Sequence, residues 1–441
     1  MKSLKWSSIV VIVALLAVWG SQAQQQPTWL IQSVAQGPDT AKQRVIEPDV
    51  AVQSYEDYDI AYISHIDQKA NAIVLLAIKV WQADGQTKTE QIARTALVRE
   101  TGRVIGTTVA VDDILICVDW EELGEESGVH EVWQACWEKP LDNDKAPKYV
   151  WRWSTEGVIA GQANGAGWQE FGFNFDNAFT PPGLPEKKLY AVWTEDYSKL
   201  VAAKVVFPSP LPAELPEVQR CGDFPPLPIP DAPNRYPTVY VDKDGGVWVA
   251  VGDVSYPPGP NVWVYYSSDQ CASWKGPVDM TPTGLFSDMG GIVRLGDKIY
   301  VVYDEDQGAA PGTADINVTT CAVAKDSEGK VIGVDPATCV RGIVHRDGGF
   351  PHIATDGKGL YVASYDGNAN AVRFSYSCDA GGKWNPLDIP NKWNSGYRDP
   401  DFGAVLSRVK VAVDHFVYVV WFWRSEGKSN IMLGILPKPC Q

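Results

Sequence analysis

Alternation of apolar and polar positions dominates the chain. Short period-two runs recur at Asp49-Val50-Ala51-Val52, Thr108-Val109-Ala110-Val111, Thr238-Val239-Tyr240-Val241, His352-Ile353-Ala354-Thr355 and Lys410-Val411-Ala412-Val413, with weaker copies at 170–173 and 291–294. A period of two sends successive side chains to opposite faces of a strand. The step between copies is roughly 53 to 68 residues, the scale of a structural repeat. A second run rich in β-formers follows after a short turn at 58–64, 114–120, 246–251, 298–303, 359–364 and 416–423. Turn residues separate several of these pairs, as in Asp244-Gly245-Gly246 and Asp356-Gly357. Third runs stand at 72–80, 262–267, 371–377 and 430–436. One strand–turn–strand–loop–strand unit repeated about seven times predicts an all-β chain, a β-propeller of six or seven four-stranded blades. A β-sandwich also has short, evenly spaced strands, but the regular repeat favours the propeller.

Two stretches lie outside this rhythm. Residues 1–23 carry Lys2 and Lys5, an apolar run from Ile9 to Val18, and the small-x-small triplet Ser21-Gln22-Ala23. That layout predicts a cleaved secretory signal peptide, and the run is short of the ~20 residues a membrane span needs. Residues 207–233 hold nine prolines, a semi-rigid extended stretch. It divides the chain into a first part of the propeller at 24–206, a Pro-rich connector, and a second part at 234–441. Three blades alone would leave exposed edges, so one closed ring is expected.

Composition narrows the setting. All eight cysteines fall beyond the signal. An even count in an exported chain predicts disulfides, first Cys117–Cys136 and Cys321–Cys339, with Cys221–Cys271 and Cys378–Cys440 one option for the other four. The net charge of −16 becomes about −18 once Lys2 and Lys5 leave with the signal. So acidic a chain excludes nucleic acid as a partner, and an anionic ligand would need a local arginine cluster. The histidines lack metal-ligand spacing, and no cofactor or metal is expected. The lone sequon is Asn317-Val318-Thr319.

Two segments share a turn motif: Ser267-Ser268-Asp269-Gln270-Cys271-Ala272-Ser273-Trp274 and Ser377-Cys378-Asp379-Ala380-Gly381-Gly382-Lys383-Trp384. Each follows a third strand and resembles the Asp-box (BNR repeat) of sialidase-like propellers. There the Asp accepts backbone N–H groups across a hairpin, Gly supplies positive φ, and Trp plugs the space beneath. On that resemblance Ser267, Asp269, Trp274, Ser377, Asp379, Gly381 and Trp384 are structural. Cys271 stands where the motif has Gly. The stretch from Arg235 through Pro237 to Asp244-Gly245-Gly246 is similar to the sialidase Arg-Ile-Pro segment, whose Arg grips a substrate carboxylate bidentately.

Residues leading into the first strand of each unit gather at one end of a propeller axis. Arg235, Arg346, Arg398 and His352 are the candidate ligand-binding side chains there. The sialidase resemblance further implies a Tyr nucleophile, a Glu that activates it and an Asp acid/base. Tyr397 (or Tyr365), Glu305, and Asp253 or Asp288 are the candidates. The expected function is a secreted, extracellular or periplasmic propeller that binds, and in the catalytic version hydrolyses, glycans at an axial charged pocket. The alternative is a non-catalytic extracellular scaffold for protein partners.

Overall fold

The computed structural model describes residues 28–440, apart from 41–42, 101, 124–128, 154–157, 160–174, 196–198, 229–233, 254–260, 282–285, 307–313, 367–368, 370, 388, 390–408 and 426. The signal segment, the weak run at 170–173, Tyr397 and Arg398 therefore lie outside the described residues. So do the side chains of Arg235 and Asp288.

The described strands assemble into seven antiparallel blades. Blade I is Val45–Ser54, Tyr58–Asp67, Ala72–Ala83 and Gln86–Val98. Blade II is Arg103–Val111, Leu115–Leu123 and Val129–Glu138, edged by Tyr149–Arg152 and Val158–Ile159. Blade III is Phe175–Phe179, Lys187–Glu195, Lys199–Phe207 and Val218–Arg220, so the Pro-rich stretch supplies that blade's outermost strand. Blade IV is Asn234–Val241, Val247–Asp253, Val262–Ser267 and Lys275–Asp279. Blade V begins with Phe286–Leu295, Lys298–Asp306 and Ala314–Lys325. The long strand Val340–Thr355 serves two blades: 340–348 closes blade V, and from 349 onward it is the innermost strand of blade VI. Leu360–Asp366, Ala371–Ser377 and Asn385–Pro386 complete blade VI. Blade VII is Lys410–Val413, Phe416–Ser425 and Lys428–Pro437, and its outermost strand is the amino-terminal Leu30–Pro38. The innermost strands touch in sequence and the seventh returns to the first. Pairing the first described strand with the last closes the ring and removes the free edges a three-blade fragment would expose.

Second strands such as Tyr58–Asp67 and Val247–Asp253 are buried along nearly their whole length, so both their faces are covered, and neighbouring blades pack against one another. Trp193, Phe179 and Phe175 of blade III pack with Cys117, Trp151 and Trp153 of blade II. Blade IV's Trp248 packs with Ile299 and Val301 of blade V. Trp421 of blade VII packs with Phe374 and Ala363 of blade VI.

The turns between first and second strands share a device. Asp112, Asp242 and Asp356 each accept two backbone N–H groups of their own turn through one oxygen, at 2.6 to 2.9 Å. A cation from the next blade reaches back to each: Lys187 to Asp112 (4.0 Å), Arg294 to Asp242 (2.8 Å) and Lys438 to Asp356 (3.0 Å).

Both Ser-x-Asp turns adopt one hydrogen-bond pattern. Ser267 Oγ donates to Asp269 and Ser377 Oγ to Asp379, at 2.7 Å each. The N–H of the residue four beyond each Ser donates back to that hydroxyl at 2.8 Å. Ser273 N and Lys383 N donate to the Asp carboxylates at 2.9 Å. Cys271 takes φ 67° and Gly381 φ 84° at matching positions. The structure accounts for the odd cysteine: Cys271 bonds to Cys221 and ties this turn to the segment leaving blade III. Cys378, in the other turn, bonds to Cys440 at the end of blade VII. Gly359 lies beside that bond, where a Cβ would come within 2.8 Å of the Cys440 sulfur. Cys117–Cys136 joins facing residues of adjacent strands in blade II, and Cys321–Cys339 completes the set. Asn317 of the sequon is buried, its carboxamide bonded to Asp315 O and the Arg341 guanidinium.

Candidate functional site: the axial cavity

Antiparallel connection places the start of each innermost strand and the loop between second and third strands on one face of the ring. On that face the register slips in five innermost strands, at Ile46/Asp49, Val104/Gly106, Arg235/Thr238, Asp288/Gly291 and Gly349/His352. A β-bulge adds a residue on one strand and re-aims the side chain after it. Three of the bulges repeat a sequence: a residue at positive φ (Glu47 53°, Tyr236 53°, Phe350 54°), then Pro, then a polar residue. Positive φ is strained for these residues, and neighbouring blades hold two of them in place. Thr107 Oγ1 donates to Glu47 O (2.8 Å), and Phe350 N donates to Asp304 (3.1 Å).

The residues that follow, Asp49, Thr238 and His352, line a cavity on the axis of about 340 Å³. All seven innermost strands contribute, with Thr108, Asp176, Asn177 and Lys410 adding polar groups. Three of these side chains also latch one blade to the next by accepting a backbone N–H. Val109 N donates to Asp49 (2.9 Å), Val239 N to Asp176 (2.9 Å) and Val411 N to His352 Nδ1 (3.3 Å). The Thr108 hydroxyl lies between two carboxylates, 2.7 Å from Asp49 and 3.1 Å from Asp176. Lys410 Nζ is 3.8 Å from Asp49. Burial pushes the Asp176 carboxyl above its usual range, with Asp49 adding to the rise while Lys410 and the Val239 N–H oppose it. Thr108, Thr238, His352 and Lys410 open the sequence repeats, yet only His352 stood out, because a Thr or Lys at a strand start gives no sign of facing an axis.

The other sequence candidates are spread around this face. Asp253 is fully buried in blade IV, where the Trp263 indole N–H donates to it at 2.6 Å and Asn261 N at 3.2 Å. Glu305 is buried in blade V and paired with the Arg341 guanidinium, with the Ser287 hydroxyl 3.5 Å away. The same position recurs in blade VI as Asp366 with Arg373 (2.6 Å) and in blade III as Glu195 with Arg220 (3.3 Å). An acid at the end of the second strand that holds a cation of its own blade is thus a repeated structural feature. Arg346 is exposed on the strand that crosses from blade V to blade VI. Arg235 begins blade IV's innermost strand opposite Gly252, and Asp288 lies opposite Asp304 in blade V. Tyr365 is buried in blade VI. Arg294 belongs to the turn latch on the opposite face.

Among the described residues, one group beyond the axis has metal-ligand types close together: Asp59, Asp414 and His415, within 4.8 Å. Asp59 there accepts from Ser54 (2.5 Å), Tyr418 (2.8 Å) and Phe416 N (3.3 Å), the bonding of a blade-joining carboxylate.

No family model matches the chain, and no curated protein matches it. Similar solved structures include a Dyadobacter fermentans protein of unknown function, 11% identical over 92% of this chain and 99% of that one, TM-score 0.45. Penicillium chrysogenum alpha-L-arabinanase complexed with arabinobiose is 10% identical over 93% and 99%, TM-score 0.46. Trypanosoma rangeli sialidase in complex with sialic acid is 10% identical over 92% and 59%, TM-score 0.42. Likeness at this level carries no argument about chemistry, and the seven-bladed ring rests on its own strand registers.

Proposed function

We propose that this chain is a secreted propeller that binds glycans at the axial cavity, and that the preferred glycan is neutral. The observation that carries the reading is the cavity itself, concave and lined by all seven innermost strands. It offers hydroxyls from Thr108 and Thr238, the Asn177 amide, the His352 imidazole, two carboxylates and one ammonium within about 340 Å³. Convergent polar groups in a preformed cavity are what a small polar ligand needs. Its charge argues against a sugar acid: among the described residues, Asp49 and Asp176 face a single cation, Lys410. Both carboxylates also accept backbone N–H bonds that join blades, which suits binding better than proton transfer. Four disulfides, the bonding of an oxidising compartment, support export.

A glycan array of neutral and sialylated structures tests this, followed by calorimetry on the hits. Wild type should bind neutral glycans, and His352→Ala should weaken binding at least tenfold with the melting temperature kept. Binding to sialosides alone would overturn the neutral preference. Binding to nothing on the array would leave the protein-scaffold alternative.

A further inference from the structure

A second cavity lies between blades I and II, beside the turns that join their first and second strands, on the face opposite the axial entry. Its volume is about 270 Å³, and no residue lines both it and the axial cavity. The lining is apolar and aromatic, with Ile60, Ile92, Leu141 and the rings of Tyr55 and Tyr62. Lys139, just past blade II's third strand, is the one cation among the lining residues. Lys139 is half-buried and Ile92 is exposed, so the cavity opens to solvent. The amine is held in place. It donates to the Gln53 side-chain carbonyl and to the backbone carbonyl of Asp112. The Tyr55 hydroxyl donates to the same Gln53 oxygen at 3.1 Å, and the Tyr55 and Tyr62 hydroxyls bond to each other. The Lys139 nitrogen lies 5.0 Å from the centre of the Tyr62 ring. Two acceptors match a neutral amine, which has two N–H groups and a lone pair, whereas an ammonium has three N–H groups. Among the described residues no third acceptor and no carboxylate reaches this nitrogen; Asp112 and Asp113 face Lys187 instead.

We propose that Lys139 is a nucleophilic amine that captures small apolar aldehydes in this cavity as a reversible imine. The amine lone pair attacks the carbonyl carbon and a C–N bond forms. The carbonyl oxygen leaves as water with the two amine protons, and no oxidant or reductant takes part. Withdrawal from water is what makes a lysine such a nucleophile. Burial lowers the Lys139 amine to about 7, while Asp112 and Asp113 oppose the fall and Lys187 adds to it. The other titratable groups beside it are the Tyr55 and Tyr62 phenols, which burial raises, so both stay neutral where the amine titrates. At pH 7.5 the neutral fraction of such an amine exceeds that of a surface lysine by on the order of 10²–10³. The walls choose the ligand. Apolar and aromatic side chains favour an alkyl or aryl body, and a volume below the ~300 Å³ of a drug-sized pocket limits that body to about one ring.

Reductive trapping tests this. The full mature chain is incubated with benzaldehyde and sodium cyanoborohydride, and the benzylated lysines are located by peptide mass mapping. At pH 7.5 Lys139 should react tenfold or more faster than the exposed Lys69 and Lys358, and saturably in benzaldehyde. The ratio of Lys139 to Lys358 labelling should fall tenfold or more between pH 7 and pH 9, because only the surface amine is still gaining neutral fraction. Ile92→Trp narrows the exposed mouth and keeps the amine. It should slow benzaldehyde labelling of Lys139 fivefold or more and leave labelling by formaldehyde, which needs no wall, unchanged. Labelling of Lys139 no faster than of Lys69 and Lys358, a ratio constant across pH, or a benzaldehyde rate untouched by Ile92→Trp would each overturn the inference.

Discussion

Arg294→Met tests whether the ring is held by cations that reach from one blade to the turn Asp of the one before. Arg294 comes from blade V and is 8% exposed; Asp242, in blade IV, is 1% exposed. Its guanidinium donates to Asp242 at 2.8 Å, to Asp244 at 2.7 Å, and to the carbonyl of Gly296 at 2.9 Å. Methionine keeps the apolar stem and removes the charge. Stranding one partner of a buried pair costs about 3–5 kcal/mol. Asp242 retains the N–H groups of Asp244, Gly246 and the Trp248 indole, each at 2.9 Å, which lowers the expected loss to roughly 2–3 kcal/mol. The half-exposed Asp244 adds under ~1 kcal/mol. Urea unfolding followed by tryptophan fluorescence reads the effect. With a slope of about 3 kcal/mol per molar, the midpoint should fall by roughly 0.7–1 M. Because the pair is buried, 0.5 M salt should leave most of that difference in place. A midpoint within ~0.2 M of wild type would refute the latch.

Three further outcomes follow from buried groups and cross-links. Replacing Cys378 and Cys440 together by Ser opens a bond spanning 62 residues and should cost roughly 2–4 kcal/mol in the same assay; an unchanged midpoint would mean the bond does not form in the folded protein. Asp119 has a raised folded pKa, so its stabilising contribution exists at low pH and is lost as pH rises above the unfolded value of about 4. Asp119→Asn should therefore match wild type near pH 4 and gain on it as pH rises above that, and a difference independent of pH would contradict the burial argument. Burial lowers both His65 and His345 to about 4, so their contribution is present above about 6.5 and lost as pH falls toward 4. His65→Leu should reduce the acid-side slope of stability by close to one proton; an unaltered slope would show that His65 charges freely in the folded state.

The repeat was legible because the alternating pattern is local. A run such as Thr238-Val239-Tyr240-Val241 shows its strand within four residues, and the Ser-x-Asp turns show theirs within eight. The closure was not legible: Leu30–Pro38 pairs with a strand about 400 residues away, and its sequence, with Gln32, Ser33, Gln36 and Gly37, alternates weakly. The bulges were hidden for a related reason. Glu47-Pro48, Tyr236-Pro237 and Phe350-Pro351 share only the proline, and the slip they cause appears only against the partner strand. Charged residues misled most. Glu305 and Asp253 stood in sequence as the candidate activating Glu and acid/base, and the fold sets them against Arg341 and Trp263 of their own blades. The Arg294 latch was not legible, because Asp242 lies 52 positions away and only strand pairing sets the two together.

If the axial cavity is the glycan site, a single calorimetric comparison shows it. A neutral glycan from the array is titrated into wild type, His352→Ala and Arg346→Ala, the last an exposed change outside the cavity lining. Affinity should be unchanged in Arg346→Ala and reduced tenfold or more in His352→Ala, with both variants folded by circular dichroism. Equal affinity in all three proteins would contradict it and move the glycan away from the axis.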